Sequence, residues 1–282
     1  VAPSELVFTG SGDSYAAAIF AQELSDGVAL ASDPYELSLN PDRARGRHVV
    51  LISVSGRTRA NLQLARKLKG VARKRIAVTA HPPSPLAGLC DQTLELLYSK
   101  SGRLTSGTVS FTTSLLACAH LLGILPKKLT LQAAMRRAAS WAKAIRVPPD
   151  GAFYFIGSGV NSALAEYGTC KVQEVLGAKA HGQVPEQLGH AQLFSIDKRK
   201  DVIFCIPSGP KDPTWKVLRV LEQNDFRVHS ITGQSRNVVV RSLEISFHLQ
   251  HLALNVARRK GLKECSFLTD ESRLQLSNRL IY

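Results

Sequence analysis

The sequence predicts an α/β protein built from two tandem, doubly wound parallel sheets, and three observations carry that prediction. A strand running into a Gly-Ser-Gly turn and then an Ala-rich helix occurs twice. The copies are Val7-Phe8-Thr9-Gly10-Ser11-Gly12 and Phe153-Tyr154-Phe155-Ile156-Gly157-Ser158-Gly159, with the glycines offset by 147 residues (10 to 157, 12 to 159). Farther along each half, Val49-Val50-Leu51-Ile52-Ser53-Val54-Ser55-Gly56 is echoed by Val202-Ile203-Phe204-Cys205-Ile206-Pro207-Ser208-Gly209, offset by 153 (55 to 208). Both halves alternate short apolar strands with helical patterns, which implies a mostly parallel sheet covered on both faces. Two strand-turn-helix units recurring in the same order mark a tandem duplication.

Taken in order, the first half reads as a strand at 6–9, a helix at 14–25, strands at 29–31 and 48–53, a helix at 58–69, strands at 75–79 and 93–97, and a long helix at about 108–122. Residues 127–146, basic and Ala-rich around Trp141, read as a connecting helix, and Val147-Pro148-Pro149-Asp150-Gly151 is a breaker run. The expected division is therefore 1–146, with the connecting helix, and 147–282, with a C-terminal tail. The second half reads as a strand at 152–156, a helix at 161–174, a strand at 202–206, a helix at 213–223, strands at 227–231 and 243–245, and a helix at 248–259.

With 282 residues, 44% of them hydrophobic, the chain can bury two cores of ordinary domain size. No apolar run reaches the roughly 18 residues that cross a bilayer, so no membrane partner and a cytoplasmic location are expected. The single methionine, Met135, lies far from the start, and an N-terminal segment is expected upstream. Five cysteines, odd in number and widely spaced within apolar patterns, read as reduced core residues rather than a disulfide or metal set. The eight histidines show no metal-binding spacing, so neither a metal nor another cofactor is expected. The net charge of +14 is spread along the chain, and aromatic residues make up only 6%. A basic surface that attracts anionic metabolites accounts for this better than a nucleic-acid face.

A parallel strand ending in small residues and feeding a helix aims backbone N–H groups and the positive end of the helix dipole into one crevice, which suits a phosphate. Ser53-Val54-Ser55-Gly56-Arg57-Thr58 places three hydroxyls around such a turn. Any one of them is explained by helix capping. Together with Ser14 in Gly12-Asp13-Ser14, they exceed what capping requires and read as a phosphate cradle.

These motifs, with Thr105-Ser106-Gly107-Thr108 and Phe111-Thr112-Thr113, resemble the SIS (sugar isomerase) domain family. The resemblance is strongest to the isomerase half of glucosamine-6-phosphate synthase and to archaeal phosphosugar isomerases and deaminases. It covers nearly the whole chain and implies a flavodoxin-like αβα sandwich in each half. It also implies that Ser14, Ser53, Ser55 and Thr58 hold the 6-phosphate of a sugar, with Gly12, Asp13, Gly56, Thr105, Ser106 and Gly107 around the substrate. The Gln that the synthase carries between its two serines is Val54 here, so that contact would come from backbone.

In the second half, Lys171-Val172-Gln173-Glu174 lies on a predicted helix, and Val184-Pro185-Glu186-Gln187-Leu188-Gly189-His190 ends sixteen residues after Glu174. The resemblance implies that Glu174 moves a proton between C1 and C2 and that His190 assists ring opening from a neighbouring subunit, hence a homodimer with shared sites. The chemistry asks for the same residue types. A carboxylate in a dry pocket can remove a proton beside a carbonyl, and an imidazole titrates near neutrality. Lys171, one helical turn before Glu174, shares its face and suits an enediolate oxygen. Singly, each of the three reads equally well as a surface or loop residue; it is their joint spacing that points to chemistry.

One departure bears on the reaction. The synthase forms a Schiff base through a lysine near its C-terminus, whereas the last lysine here is Lys263 and residues 269–282 contain none. The expected activity is therefore isomerisation of a hexose or amino-hexose 6-phosphate, with deamination as a variant. A non-catalytic sugar-phosphate sensor is the alternative.

Overall fold

The structure, a computed structural model, describes residues 2–99, 102 and 105–282. Packing divides the chain into two compact units, Val1–Leu125 with Ser272–Tyr282, and Pro126–Glu271.

The first unit contains β1 (Leu6–Gly10), α1 (Asp13–Leu24), β2 (Leu30–Ser32), α2 (Pro34–Leu39), β3 (His48–Ile52), α3 (Arg59–Lys67), β4 (Lys74–Thr79), α4 (Pro85–Leu89), β5 (Gln92–Glu95) and α5 (Val109–Leu121). Its five strands are all parallel, in the order β2-β1-β3-β4-β5. Alternating side chains of the central strands, Val7, Val49, Leu51 and Ala77, pack with Leu37, Leu64, Leu68 and Leu86 from the helices of one face. This is the doubly wound arrangement the sequence predicts. The short helices α2 and α4 were not expected. Both begin on a proline at the first helical position, behind Asp33 and Ser84, whose side chains accept from Tyr35 N and Ala87 N.

The second unit contains α6 (Gln132–Ala144), β6 (Phe153–Gly157), α7 (Val160–Leu176), β7 (Ala180–Gln183), α8 (Pro185–His190), β8 (Val202–Ile206), α9 (Thr214–Glu222), β9 (Val228–Ser230), α10 (Val238–Arg259) and α11 (Ser266–Thr269). Its parallel sheet has the order β7-β6-β8-β9, which matches β2-β1-β3-β4 of the first unit. Registers agree as well: Gly10 lies opposite Ile52, and Gly157 opposite Ile206. Strand β7 escaped the sequence reading because Ala-His-Gly-Gln has no strand-forming pattern. Its backbone nonetheless pairs along β6, and Gly182 lets it approach α7, since a Cβ there would lie 3.2 Å from Ala165 O.

Two sequence expectations need correction. The strand expected at 243–245 is part of α10. Residues 242–249 are buried in succession, so this stretch of the helix shows no exposed face from which a helical period could be read. The connecting helix expected within the first domain is α6, and it packs in the second unit. Ala134, Ala138 and Ala142 form its buried stripe, Trp141 meets Phe204 and His248 edge-on at 6.2 and 5.2 Å, and Asn255 Nδ2 donates to Ala142 O at 2.7 Å. The tail also differs from expectation. Residues Glu271–Ile281 form a helix, α12, and Arg59 Nε donates to the main-chain oxygen of Tyr282 at 3.1 Å within the first unit.

Among the described residues no helix is long and apolar enough to cross a membrane, and no cluster of His, Cys, Asp and Glu could hold a metal ion. The five cysteines are free thiols. Burial pushes the Cys90 and Cys205 thiols up to about 12, which leaves them protonated and inert.

Candidate functional site

In each sheet the connection order reverses between two adjacent strands, and the crevice outside their carboxyl ends is where doubly wound folds bind ligands. In the first unit these strands are β1 and β3, followed by the turns at 10–12 and 53–58. Gly12 and Gly56 both have positive φ, 58° and 63°. Gly56 cannot carry a side chain for a second reason: a Cβ there would lie 2.1 Å from Ser84 Oγ. The close approach lets the turn rest on the end of β4, where Thr79 Oγ1 and Ala80 N donate to Val54 O, each at 3.1 Å, and Leu86 N donates to Gly56 O at 3.0 Å.

The predicted phosphate residues separate into two kinds here. Ser53 is 3% exposed; its Oγ accepts from Gly56 N at 3.2 Å and pairs with Thr58 Oγ1 at 3.1 Å. It shapes the turn. Ser55 is half-buried, with its Oγ accepting from Arg57 N at 3.3 Å, and Arg57 beside it is exposed. Ser14 is buried in the first turn of α1. Asp13 reaches Gly107, where a Cβ would lie 2.7 Å from its Oδ2, so the start of α1 and the segment at 105–107 come together. Thr105 Oγ1 donates to Ser106 O at 3.2 Å, and Ser106 is buried. Val54 contributes backbone only, through its carbonyl to β4.

Sequence reasoning missed the buried supports of this turn. Asn61 donates from Nδ2 to Ile52 O at 3.1 Å, pinning α3 to the end of β3, and Thr79 and Ser84 sit beneath Gly56. None of the three belongs to the motif itself.

In the second unit, α7 carries two of the predicted acid-base residues, Lys171 and Glu174. Lys171 Nζ lies 2.7 Å from Glu174 Oε2 and 5.2 Å from the centre of the Tyr167 ring. Its side chain is 1% exposed, against 39% for Glu174. The shared helical face predicted from the i, i+3 spacing is present, but in the single chain Glu174 stands half in water rather than in a dry pocket. Another carboxyl of the same helix, Glu166, has its pKa raised by burial. His190 ends α8, and its Nε2 pairs with Glu186 Oε1 at 3.0 Å on an exposed face.

The switch point of the second unit holds a cluster the sequence reading passed over. Outside β6 and β8, the Asp212 carboxylate accepts from Ser158 Oγ at 2.7 Å, Ser208 N at 2.8 Å, Ser208 Oγ at 2.5 Å and Thr214 N at 2.8 Å. Burial works to raise its pKa, but the donors on Ser208, Thr214 and Ser158 outweigh that and hold it at about 2. A cavity of about 530 Å³ adjoins it, lined by Ser158, residues 208–211 and Pro213. Ser158 and Ser208 lie in the duplicated motifs, and that position was the available signal.

The SIS domain family model matches residues 2–123 and 150–257, so this chain belongs to the SIS domain family. No curated protein matches it significantly by sequence. Among solved structures it is similar to glucosamine-6-phosphate deaminase from Thermotoga maritima, at 17% identity and TM-score 0.76, covering 92% of this chain and 86% of that one. It is also similar to the C-terminal domain of glucosamine-fructose-6-phosphate aminotransferase from Francisella tularensis, at 19% identity and TM-score 0.72, covering 92% and 85%. A third relative is tagatose-6-phosphate ketose/aldose isomerase from Escherichia coli, at 18% identity and TM-score 0.71, covering 91% and 82%. At these identities the likeness establishes the fold.

Proposed function

We propose that this SIS-family chain is a phosphosugar isomerase acting on a hexose or amino-hexose 6-phosphate by enediol proton transfer, with loss of ammonia as a variant on an amino sugar. The observation that carries the reading is the Lys171–Glu174 pair, a half-exposed carboxylate steadied 2.7 Å from a buried ammonium. In this reading Ser55, Thr58, Ser14 and the backbone of the turn at 53–58 hold the phosphate, and Ser53 keeps that turn in shape. Gly12, Asp13 and residues 105–107 border the sugar.

Glu174 takes the proton from the carbon beside the carbonyl and returns it to the neighbouring carbon, and the Lys171 ammonium balances the charge that develops on the enediolate oxygen. His190 donates to the ring oxygen when a cyclic substrate opens, acting in a homodimer on the neighbouring subunit's substrate. The exposure of its imidazole, 71%, suits a group that meets a partner surface. No step of this chemistry calls for a cofactor, nucleic acid or membrane.

The experiment is exchange of the substrate's C2 proton with deuterated water across a panel of hexose and amino-hexose 6-phosphates. Exchange in the native protein, abolished in Glu174→Gln with affinity retained, is the expected result. Binding without exchange of any substrate in the panel would replace the isomerase with a sugar-phosphate sensor.

A further inference from the structure

The two switch points are built alike and furnished differently. Gly12 and Gly159 hold nearly the same unusual backbone angles, φ 58° and ψ −127° against φ 52° and ψ −134°. Ser158 therefore corresponds to Ser11, and residues 207–213, one residue longer, correspond to the turn at 53–58. In both turns the second residue before the helix is charged. Before α3 it is Arg57, exposed and cationic; before α9 it is Asp212. Asp212 folds back, and its two oxygens take donors from both turns and from the N-terminus of α9. This is the donor set that a parallel α/β crevice offers a phosphate.

We propose that Asp212 is a built-in anion: its carboxylate fills, in the second unit, the place that phosphate takes in the first, and closes the duplicated crevice to anionic ligands. The inference rests on the reading of the first-unit turn as a phosphate site, which the same experiment checks separately. Removing the carboxylate leaves the Ser158 and Ser208 hydroxyls and the Ser208 and Thr214 amides directed at one vacated point. The adjoining cavity of about 530 Å³, with Lys211 on its wall, leaves room for an inorganic anion.

The test is titration of the full chain and of Asp212→Ala with inorganic phosphate at pH 7 and constant ionic strength, followed residue by residue through the backbone amide resonances. The native protein is expected to respond at Ser55, Gly56 and Arg57 only. Asp212→Ala is expected to respond there and, saturably, at Ser208 and Thr214. A folded Asp212→Ala whose Ser208 and Thr214 amides stay still overturns the proposal, as does a native protein in which those amides move. If the first-unit amides alone stay still while Ser208 and Thr214 respond in the variant, the built-in anion stands and the first-unit phosphate reading falls. Should Asp212→Ala fail to fold in anion-poor buffer, phosphate or sulfate is expected to restore folding where chloride of equal ionic strength does not. Equal behaviour in all three salts counts against the proposal.

Discussion

Lys171 Nζ lies 2.7 Å from Glu174 Oε2, with the lysine side chain buried and the glutamate half exposed. Removing the exposed partner takes one interaction from the buried ammonium, and in a pair half open to water that costs about 1–2 kcal/mol. Glu174→Ala is therefore expected to lower stability by about that amount in urea unfolding, and by much less in a Lys171→Met background. Equal losses in both backgrounds would mean that the pair is not coupled. The cycle also shows which Glu174 variants remain folded enough for kinetic comparison.

Ser53 and Ser55 sit two residues apart and are expected to fail differently. Ser55→Ala removes a hydroxyl from the proposed phosphate site, and sugar-phosphate affinity should fall roughly ten- to hundredfold with stability almost unchanged. Ser53→Ala removes the buried hydroxyl that ties Gly56 N to Thr58 Oγ1, while Gly56 N keeps its bond to Ser53 O, and should cost about 1 kcal/mol of stability. Calorimetry and thermal melts on both variants check the division of labour, which an interchange of the two phenotypes would reverse.

Gly56→Ala meets two obstacles at once, φ of 63° and a Cβ placed 2.1 Å from Ser84 Oγ. The left-handed backbone alone costs about 1–2 kcal/mol. Adding Ser84→Gly should relieve the clash and leave the backbone cost. A melting temperature for the double variant between those of native protein and Gly56→Ala is the expected result, and full recovery would show that the backbone cost is absent.

The Asp212 carboxyl, held at about 2 against an ordinary 3.8, is depressed in the folded state. Its contribution is therefore complete above about pH 4 and is lost as pH falls through 2. A shift of that size corresponds to roughly 2.5 kcal/mol. Urea unfolding of native protein and Asp212→Asn should differ by about that amount at pH 6 and converge toward pH 2. A difference that stays constant over the window would assign the effect to shape rather than charge.

Shared sites in a homodimer predict complementation. Mixing inactive Glu174→Gln and His190→Ala chains under exchange conditions should restore roughly a quarter of native activity, because half the dimers carry one intact site. If mixing restores nothing while light scattering reports mixed dimers, both residues serve the same chain.

The sequence by itself determined the parallel α/β class, the duplication and the first-unit turn. Each is a local matter: Gly-Ser-Gly after an apolar strand states both a backbone angle and a helix start. It also determined that Lys171 and Glu174 share a face, since i, i+3 spacing does that on any helix. Only the tertiary structure decided what depends on burial and on residues far apart in the chain. Residues 243–245 belong to a helix that is buried without a break over 242–249, which erases the period that would have revealed it. Helix α6 belongs to the second unit because Trp141 finds Phe204, some sixty residues away. Ser53 became a buried strut and Ser55 a half-buried neighbour of Arg57, a distinction invisible in Ser-Val-Ser-Gly. Asp212 reads in the sequence as an ordinary acid between Lys211 and Pro213, and its tie to Ser158 exists only because β6 and β8 lie side by side and bring their turns to one point.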